Sequence, residues 1–289
     1  MNRLFLINKK SGVTSFHTVA RVRRKLNIKK AGHAGTLDQF ASGLLLILTG
    51  RYTRLVEYFT DFDKVYRAVF EFGKETDTLD PEGRVIAESG IPSLSEIESV
   101  LPSFCGKISQ KPPHYSAVHI DGQRAYRLAL KGCEIEMPSR EIEVFDWKII
   151  DYRSPFLEVE IHCSKGTYIR SLARDLGRAC GSRAYVTKLE RLSVGGFSLS
   201  DAVTVDELSE EGREGLSDSA LISGAGFPVC RLKEEFAADF FNGKPITPKW
   251  FADDFESGIW AVFYRDRFAG MVEKTVTGVL RYRFVLAEE

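Results

Sequence analysis

The sequence predicts an α+β fold, a large domain of interspersed strands and helices followed by a small β-rich one. Three observations carry this. KVYRAVFEFG (64–73) and FLEVEIHC (156–163) alternate apolar and polar residues with period two, the mark of half-buried strands. Ile169, Leu172, Ala173 and Leu176 recur at i, i+3, i+4 and i+7, the stripe of an amphipathic helix. Beyond SGAGF (223–227) the chain carries three short strand patterns, GIWAVFYRD, RFAGMVEK and LRYRFVLAE. A chain of 289 residues is long enough for one large and one small domain.

Taken in order, Thr14 or Ser15 can cap a helix running to about Asn27, with Phe16, Val19, Ala20 and Leu26 as its apolar stripe and the arginines off it. ASGLLLILTG (41–50) reads as a buried strand ended by Gly50. TRLVEYF (53–59) reads as a short helix capped by Thr53. In the strand at 64–73, Tyr66 shares the apolar face with Ala68, Phe70 and Phe72. Ser95 and Glu98 form a capping box for a helix Ile97 to Phe104. QKPPHYSAVHIDGQRAYRLALKG (110–132) opens on two prolines, which forbid a regular start. It reads as an exposed, partly mobile insertion whose second half, from Gln123, forms a short helix. After the strand 156–163, Gly166 turns the chain and Thr167 caps the helix that carries Tyr168 and Arg170 in its first turn. SGAGF reads as a linker between the two domains.

Bulk properties exclude several classes. The longest apolar run, Leu44 to Leu48, is too short to span a membrane, and MNRLFLINKK lacks the apolar core of a signal peptide. A cytoplasmic protein is expected. Five scattered cysteines (Cys105, Cys133, Cys163, Cys180 and Cys230) show no C-x-x-C spacing and no His at zinc-knuckle spacing, so they read as reduced thiols rather than metal ligands. Net charge is zero, but its distribution is uneven. Residues 1–60 hold eleven Lys/Arg against two Asp/Glu, and residues 201–218 hold seven acids against one base. A basic face for a polyanion and a set of solvated helix faces both fit that pattern.

One acid stands out. In AGHAGTLDQFASG (31–43), Asp38 is the only Asp or Glu before Glu57. Flanking glycines permit close approach of a large substrate, and a positive surrounding field favours the ionised form. Such an Asp is either a nucleophile or a turn residue bonding its own backbone. No second carboxylate lies near in sequence, and no metalloprotease, phosphate-loop or serine-elbow motif is present. His33, Tyr66 and Arg170 carry the same ambiguity taken singly, as loop histidine, core aromatic and surface cation. Arg170 stands against its helix dipole, which hints at an external partner.

GHAGTLDQFASGLLLILTGRYTRL closely resembles the central motif of the TruB family of tRNA pseudouridine synthases. DKVYRAVFEFGKETDTLDPEGRV resembles that family's second motif, the 110–132 segment resembles its RNA-gripping thumb, and CSKGTYIRSLARDLGRACGSRAYVTKLERLSVGGF resembles its third and fourth. The match runs in order from about Leu6 to Phe197.

The resemblance implies a mixed, mostly antiparallel twisted sheet flanked by helices and loops, the pseudouridine synthase fold. It implies a catalytic domain over 1–222, with the thumb at about 112–137, and a PUA-like RNA-binding β-barrel over 223–289. It implies isomerisation of uridine 55 in the tRNA T-loop by a monomer, with no cofactor and no metal. Asp38 would attack the extruded nucleoside, Tyr66 would stack on the uracil, and Arg170 would pair with Asp38. Tyr168 would sit beside the base, Leu192 would pack against it, and His33 would fill the space the base vacates. Arg124, Arg127, Lys131 and Lys165 would grip phosphates. Flipping is physically required, because a stacked base cannot be detached, turned and rejoined through C5.

The chain departs from the family at Gln39, where Pro is usual, and in the thumb, where Val118, His119 and Leu130 replace usual cations. Two other readings share these motifs: a guide-RNA-dependent synthase of the dyskerin type, which normally lacks a long thumb, and an RNA chaperone that folds tRNA through the same groove.

Overall fold

The computed structural model describes residues 1–116, 118–120, 123–125 and 136–286. A nine-stranded sheet forms its centre. It contains β1 (Leu4–Lys9), β2 (Ala31–Ala34), β3 (Ser42–Thr49), β4 (Lys64–Phe72), β7 (Gly106–Gln110), β10 (Arg140–Arg153), β11 (Phe156–Cys163), β12 (Ala184–Val194) and β13 (Phe197–Ser198). The main path runs β1-β3-β12-β4-β11-β10-β7, with β2 on β3 and β13 on β12. All pairings are antiparallel except β12 with β3. This is the mixed, mostly antiparallel sheet that the sequence predicts. Between β4 and β7 lie a small hairpin, β5 (Lys74–Thr76) with β6 (Val85–Glu88), and a short helix.

The run LLLIL is apolar at every position because β3 is covered on both sides. Leu45 and Ile47 join Phe5 and Ile7 in a core beneath α1 (Ser15–Lys25) and the helix Ile169–Ala179. Leu44, Leu46 and Leu48 point the other way, with Leu4 and Leu6, and pack with Phe268, Met271 and Phe284 of the C-terminal region. A strand buried on two faces loses its alternation. β4 keeps its alternation because only one face is covered. Tyr66, Ala68, Phe70 and Phe72 are buried, while Arg67 on the opposite face is exposed.

Several local details differ from the sequence reading. Phe16 lies on the outside of α1, 80% exposed, and the buried face is Ser15, Thr18, Val19 and Val22. Short polar side chains replace an apolar one because that face meets the turn preceding β3. Thr14 does cap the helix, accepting from the His17 N–H at 3.1 Å. Residues 50–55 form a 3-10 turn before the helix Val56–Thr60, so Thr53 bonds back to Gly50 O instead of capping. The capping box is Ser93 with Glu96, and the helix is Leu94–Val100. SLSEIE contains the S-x-x-E pattern twice, and the first copy is used. Tyr168, not Thr167, occupies the N-cap position of the helix Ile169–Ala179. Thr167 Oγ1 donates to Ser164 O at 3.0 Å. Gln123–Arg124 (β9), expected in a helix, pairs with His119–Ile120 (β8) as a two-residue hairpin. The rest of that expected helix, with Arg127 and Lys131, lies outside the described residues.

The acidic segment 201–218 folds back on α1. Asp206 pairs with Arg21 at 2.5 Å and Lys10 at 3.2 Å. Part of the N-terminal positive charge is therefore neutralised within the molecule. The expected linker is packed: Ser223 and Gly224 end the helix Asp218–Gly224, whose Leu221 and Ile222 are buried. A Cβ on Gly224 would lie 2.5 Å from the Phe197 ring. The C-terminal strands Val229–Arg231, Gly258–Tyr264, Arg267–Lys274 and Leu280–Val285 form a separate four-stranded sheet in chain order. Among the described residues no helix is long and apolar enough to cross a membrane.

Candidate active site

Asp38 sits in the turn between β2 and β3, and four features hold that turn. Gly35 adopts φ +82° at its start, a conformation that costs glycine little. Ser15 Oγ bonds both the N–H and the C=O of Leu37, each at 2.9 Å, which ties the turn to the start of α1. The Gly12 N–H donates to Gln39 O at 2.8 Å. Lys9, only 1% exposed, points its ammonium at carbonyls of Val13 (2.7 Å), Ala41 (2.5 Å), Lys10 (3.2 Å) and Gln39 (3.4 Å). Gln39 therefore replaces proline in a turn that is restrained by other means.

Arg170 meets Asp38 from the first turn of its helix. NH2 donates to Oδ1 at 3.1 Å, and Nε stands 2.9 Å from Oδ2 as a charge contact. The same guanidinium reaches three further groups. NH1 donates to Thr78 O at 2.8 Å and Asp80 Oδ2 at 3.1 Å, and NH2 donates to Tyr115 O at 3.0 Å. Arg170 is 4% exposed and Asp80 5%. A cation at a helix start opposes the helix dipole, and here two carboxylates compensate it. Asp80 lies in the quoted motif at "TLD" but carries no role in the sequence reading. Its contact depends on a fold that brings positions ninety residues apart together.

Asp38, Tyr66 and Arg170 line one cavity of about 510 Å³, together with Tyr168, Lys64, Leu189 and Arg191. Asp38 is recessed, yet 37% of its side chain remains accessible through that cavity. Burial raises its pKa above the ordinary carboxylate value, with Arg170 pulling it down and Asp80 pushing it up. Burial likewise raises the Tyr66 phenol, opposed by the neighbouring Arg191, so Tyr66 is neutral at ordinary pH. The Tyr168 backbone is clamped by Gln110, which donates to its C=O at 3.0 Å and accepts from its N–H at 2.8 Å. Arg140 stands 5.0 Å from the Tyr168 ring centre.

The remaining sequence candidates fall elsewhere. Leu192 is not among the residues lining the cavity, whereas Leu189 is. Leu189 pairs with Ala68 and Arg191 with Tyr66 on the buried face of β4, a phase set by the bulge at Thr187, so Leu192, next after Arg191, does not share that face. His33 is half-buried on β2 outside the cavity lining, and burial lowers its pKa. Lys165 is exposed at the rim and paired with Asp61 at 2.8 Å. Arg124 lies in the hairpin at 119–124. Among the described residues no three His, Cys, Asp or Glu are grouped to hold a metal.

A recessed carboxylate is thus gripped by a buried arginine, with an aromatic beside it on a mixed sheet. The fold is shared with a solved structure: a crystal structure of a Cbf5–Nop10–Gar1 complex superposes with TM-score 0.74 at 22% identity, over 98% of this chain and 84% of that one. Residues 23–169 match the TruB family pseudouridylate synthase N-terminal domain, and 170–222 match the tRNA pseudouridylate synthase B C-terminal domain. The chain is similar to tRNA pseudouridine synthase B of Borreliella burgdorferi strain ZS7, 49% identical over 212 residues, covering 72% of this chain and 75% of that protein. It is also similar to the protein of that name from Clostridium tetani, 36% identical over 281 residues, covering 96% and 97%. The chain belongs to the TruB family of pseudouridine synthases.

Proposed function

We propose that this enzyme converts uridine 55 in the T-loop of tRNA to pseudouridine, acting on the T-arm as a monomer in the cytoplasm. The two-pronged contact of Arg170 on Asp38 at the floor of a nucleotide-sized cavity is the observation that carries the reading. The target base leaves its stack and enters the cavity, where the Tyr66 ring replaces the lost stacking, worth about 1–3 kcal/mol. Arg170 presents the Asp38 carboxylate in a fixed orientation, which a point-charge lysine could not do. Asp38 acts on the nucleoside as the N1–C1′ bond breaks. The detached uracil turns within the apolar walls, including Leu189, and C5 bonds to C1′. One proton leaves C5 and one is gained at N1, so product and substrate are isomers.

The same reading assigns residues 1–222 to catalysis and 223–289 to a PUA-like RNA-binding domain. The hairpin carrying Arg124, with Arg127 and Lys131 beyond it, grips the RNA backbone. Tyr168 contacts the base from the helix start, and Lys165 meets phosphate at the rim. Binding then weakens as salt rises, because phosphate contacts release counterions.

The test is purified protein with an unmodified tRNA transcript and chemical mapping of pseudouridine. Product at position 55 from the wild type, and none from Asp38→Asn with tRNA binding retained, is the expected result. Product elsewhere overturns the position, and full activity of Asp38→Asn overturns the assigned nucleophile.

A further inference from the structure

The cavity holds more positive charge than its own carboxylates use. Its charged lining residues are Asp38, Lys64, Arg170 and Arg191. Arg170 takes Asp38, and Asp80 from behind. That leaves Lys64 and Arg191 without an ion-pair partner among the described residues. The two acids nearest Lys64 in sequence are engaged elsewhere: Asp61 with Lys165, and Asp63 with His162.

Lys64 is 7% exposed and Arg191 1%. The Lys64 ammonium donates to Thr60 O at 2.8 Å and to Phe62 O. An ammonium has three donors, so one remains. Arg191 spends Nε on Leu44 O at 2.8 Å and NH2 on Gly35 O at 3.1 Å, and its guanidinium also faces the neutral Tyr66 hydroxyl. Its NH1 lies beneath Gly35, where a Cβ would stand 3.3 Å away. Burying cations among neutral carbonyls is costly unless an anion completes the site. The cost shows in Lys64, which burial, reinforced by Arg191, lowers to about 8.

We propose that Lys64, backed by Arg191, is a phosphate-binding subsite in the cavity wall that takes a phosphodiester flanking the target uridine. Position decides the ligand. Lys64 and Tyr66 lie two residues apart on the buried face of β4, about 7 Å along the strand. With the base on the Tyr66 ring, the backbone of the same nucleotide reaches toward Lys64. One fixed phosphate beside one stacked base would hold the sugar over Asp38. This subsite rests on the proposed reading of the cavity as the uridine pocket.

A T-arm stem-loop with a single uncharged methylphosphonate, placed in turn at the phosphates 5′ and 3′ of the target, tests it. At one of the two positions the wild type should bind about tenfold more weakly, the loss expected for one hydrogen bond to a charged group. Lys64→Met should bind the unmodified stem-loop more weakly by a similar factor, and the methylphosphonate should cost it nothing further. Its salt slope should be shallower by about 0.7, one single-strand phosphate contact. Lys64→Arg should recover discrimination between charged and uncharged linkages. Lys64 also caps the end of the helix Val56–Thr60, and a purely structural role predicts that the two losses simply add. If neither methylphosphonate weakens the wild type, the subsite is refuted without any variant. Wild-type protein that forms pseudouridine while the losses add rejects the subsite alone. Wild-type protein that forms none rejects the uridine pocket and the subsite with it.

Discussion

Replacing Arg170 by lysine keeps the charge and removes the fork. Arg170 serves five acceptor contacts in three directions: both Asp38 oxygens, Asp80, Thr78 O and Tyr115 O. One ammonium, a point charge with three donors and no fork, reaches at most three of them. At least two contacts at a charged group are lost, each worth about 1.5–3 kcal/mol, or about 3–6 kcal/mol gross. Part of this falls on stability. The part that orients Asp38 falls on the rate, where a misplacement of about 1 Å costs about a hundredfold. Arg170→Lys should therefore slow single-turnover pseudouridine formation by about 10²–10³, while tRNA affinity changes by less than about threefold. The pH profile adds an independent reading. In the proposed mechanism Asp38 acts ionised, and burial already holds its pKa above the ordinary value. Removing donors that favour the ionised form raises it again, so the acid limb of the rate profile should move to higher pH. A raised carboxylate also binds its proton more tightly folded than unfolded. Its contribution to stability thus falls as pH rises from the unfolded pKa, about 4, through the folded one. Near wild-type rates with an unmoved acid limb would refute the orienting role of the guanidinium.

Three further outcomes are expected. Asp80→Asn should lower stability by about 1–3 kcal/mol in urea unfolding, since a buried charge at NH1 loses its counterion but keeps an oxygen acceptor; it should also slow product formation at saturating tRNA. Leu189→Ala should impair turnover far more than Leu192→Ala, because of the two only Leu189 lines the cavity; equal effects would mean that this cavity does not hold the reacting base. Gly43→Ala should destabilise by more than about 2 kcal/mol, read from the urea midpoint. Gly43 has φ +101°, and a Cβ there would meet the Arg191 backbone, 2.6 Å from its nitrogen, where β3 and β12 run side by side.

Local periodicity sufficed for β4, β11 and the helix Ile169–Ala179, and motif order for singling out Asp38, Tyr66 and Arg170, which line one cavity. Where one face is covered, the residues that face a core are written in spacings of two, as β4 and β11 show. Tertiary structure alone decided the rest. Asp80 joins Arg170, and Asp206 neutralises Arg21 and Lys10, across 90 to nearly 200 positions. No local pattern records such pairs, because an ion pair depends on where two side chains end and not on which residues adjoin them. Leu189, and not the Leu192 that the resemblance implies, lines the pocket because an extra residue at Thr187 shifts the alternation of β12. Phe16 and SGAGF depart from their sequence pattern for a related reason: apolarity and glycine content are properties of a residue, whereas burial is a property of what the finished fold lays against it.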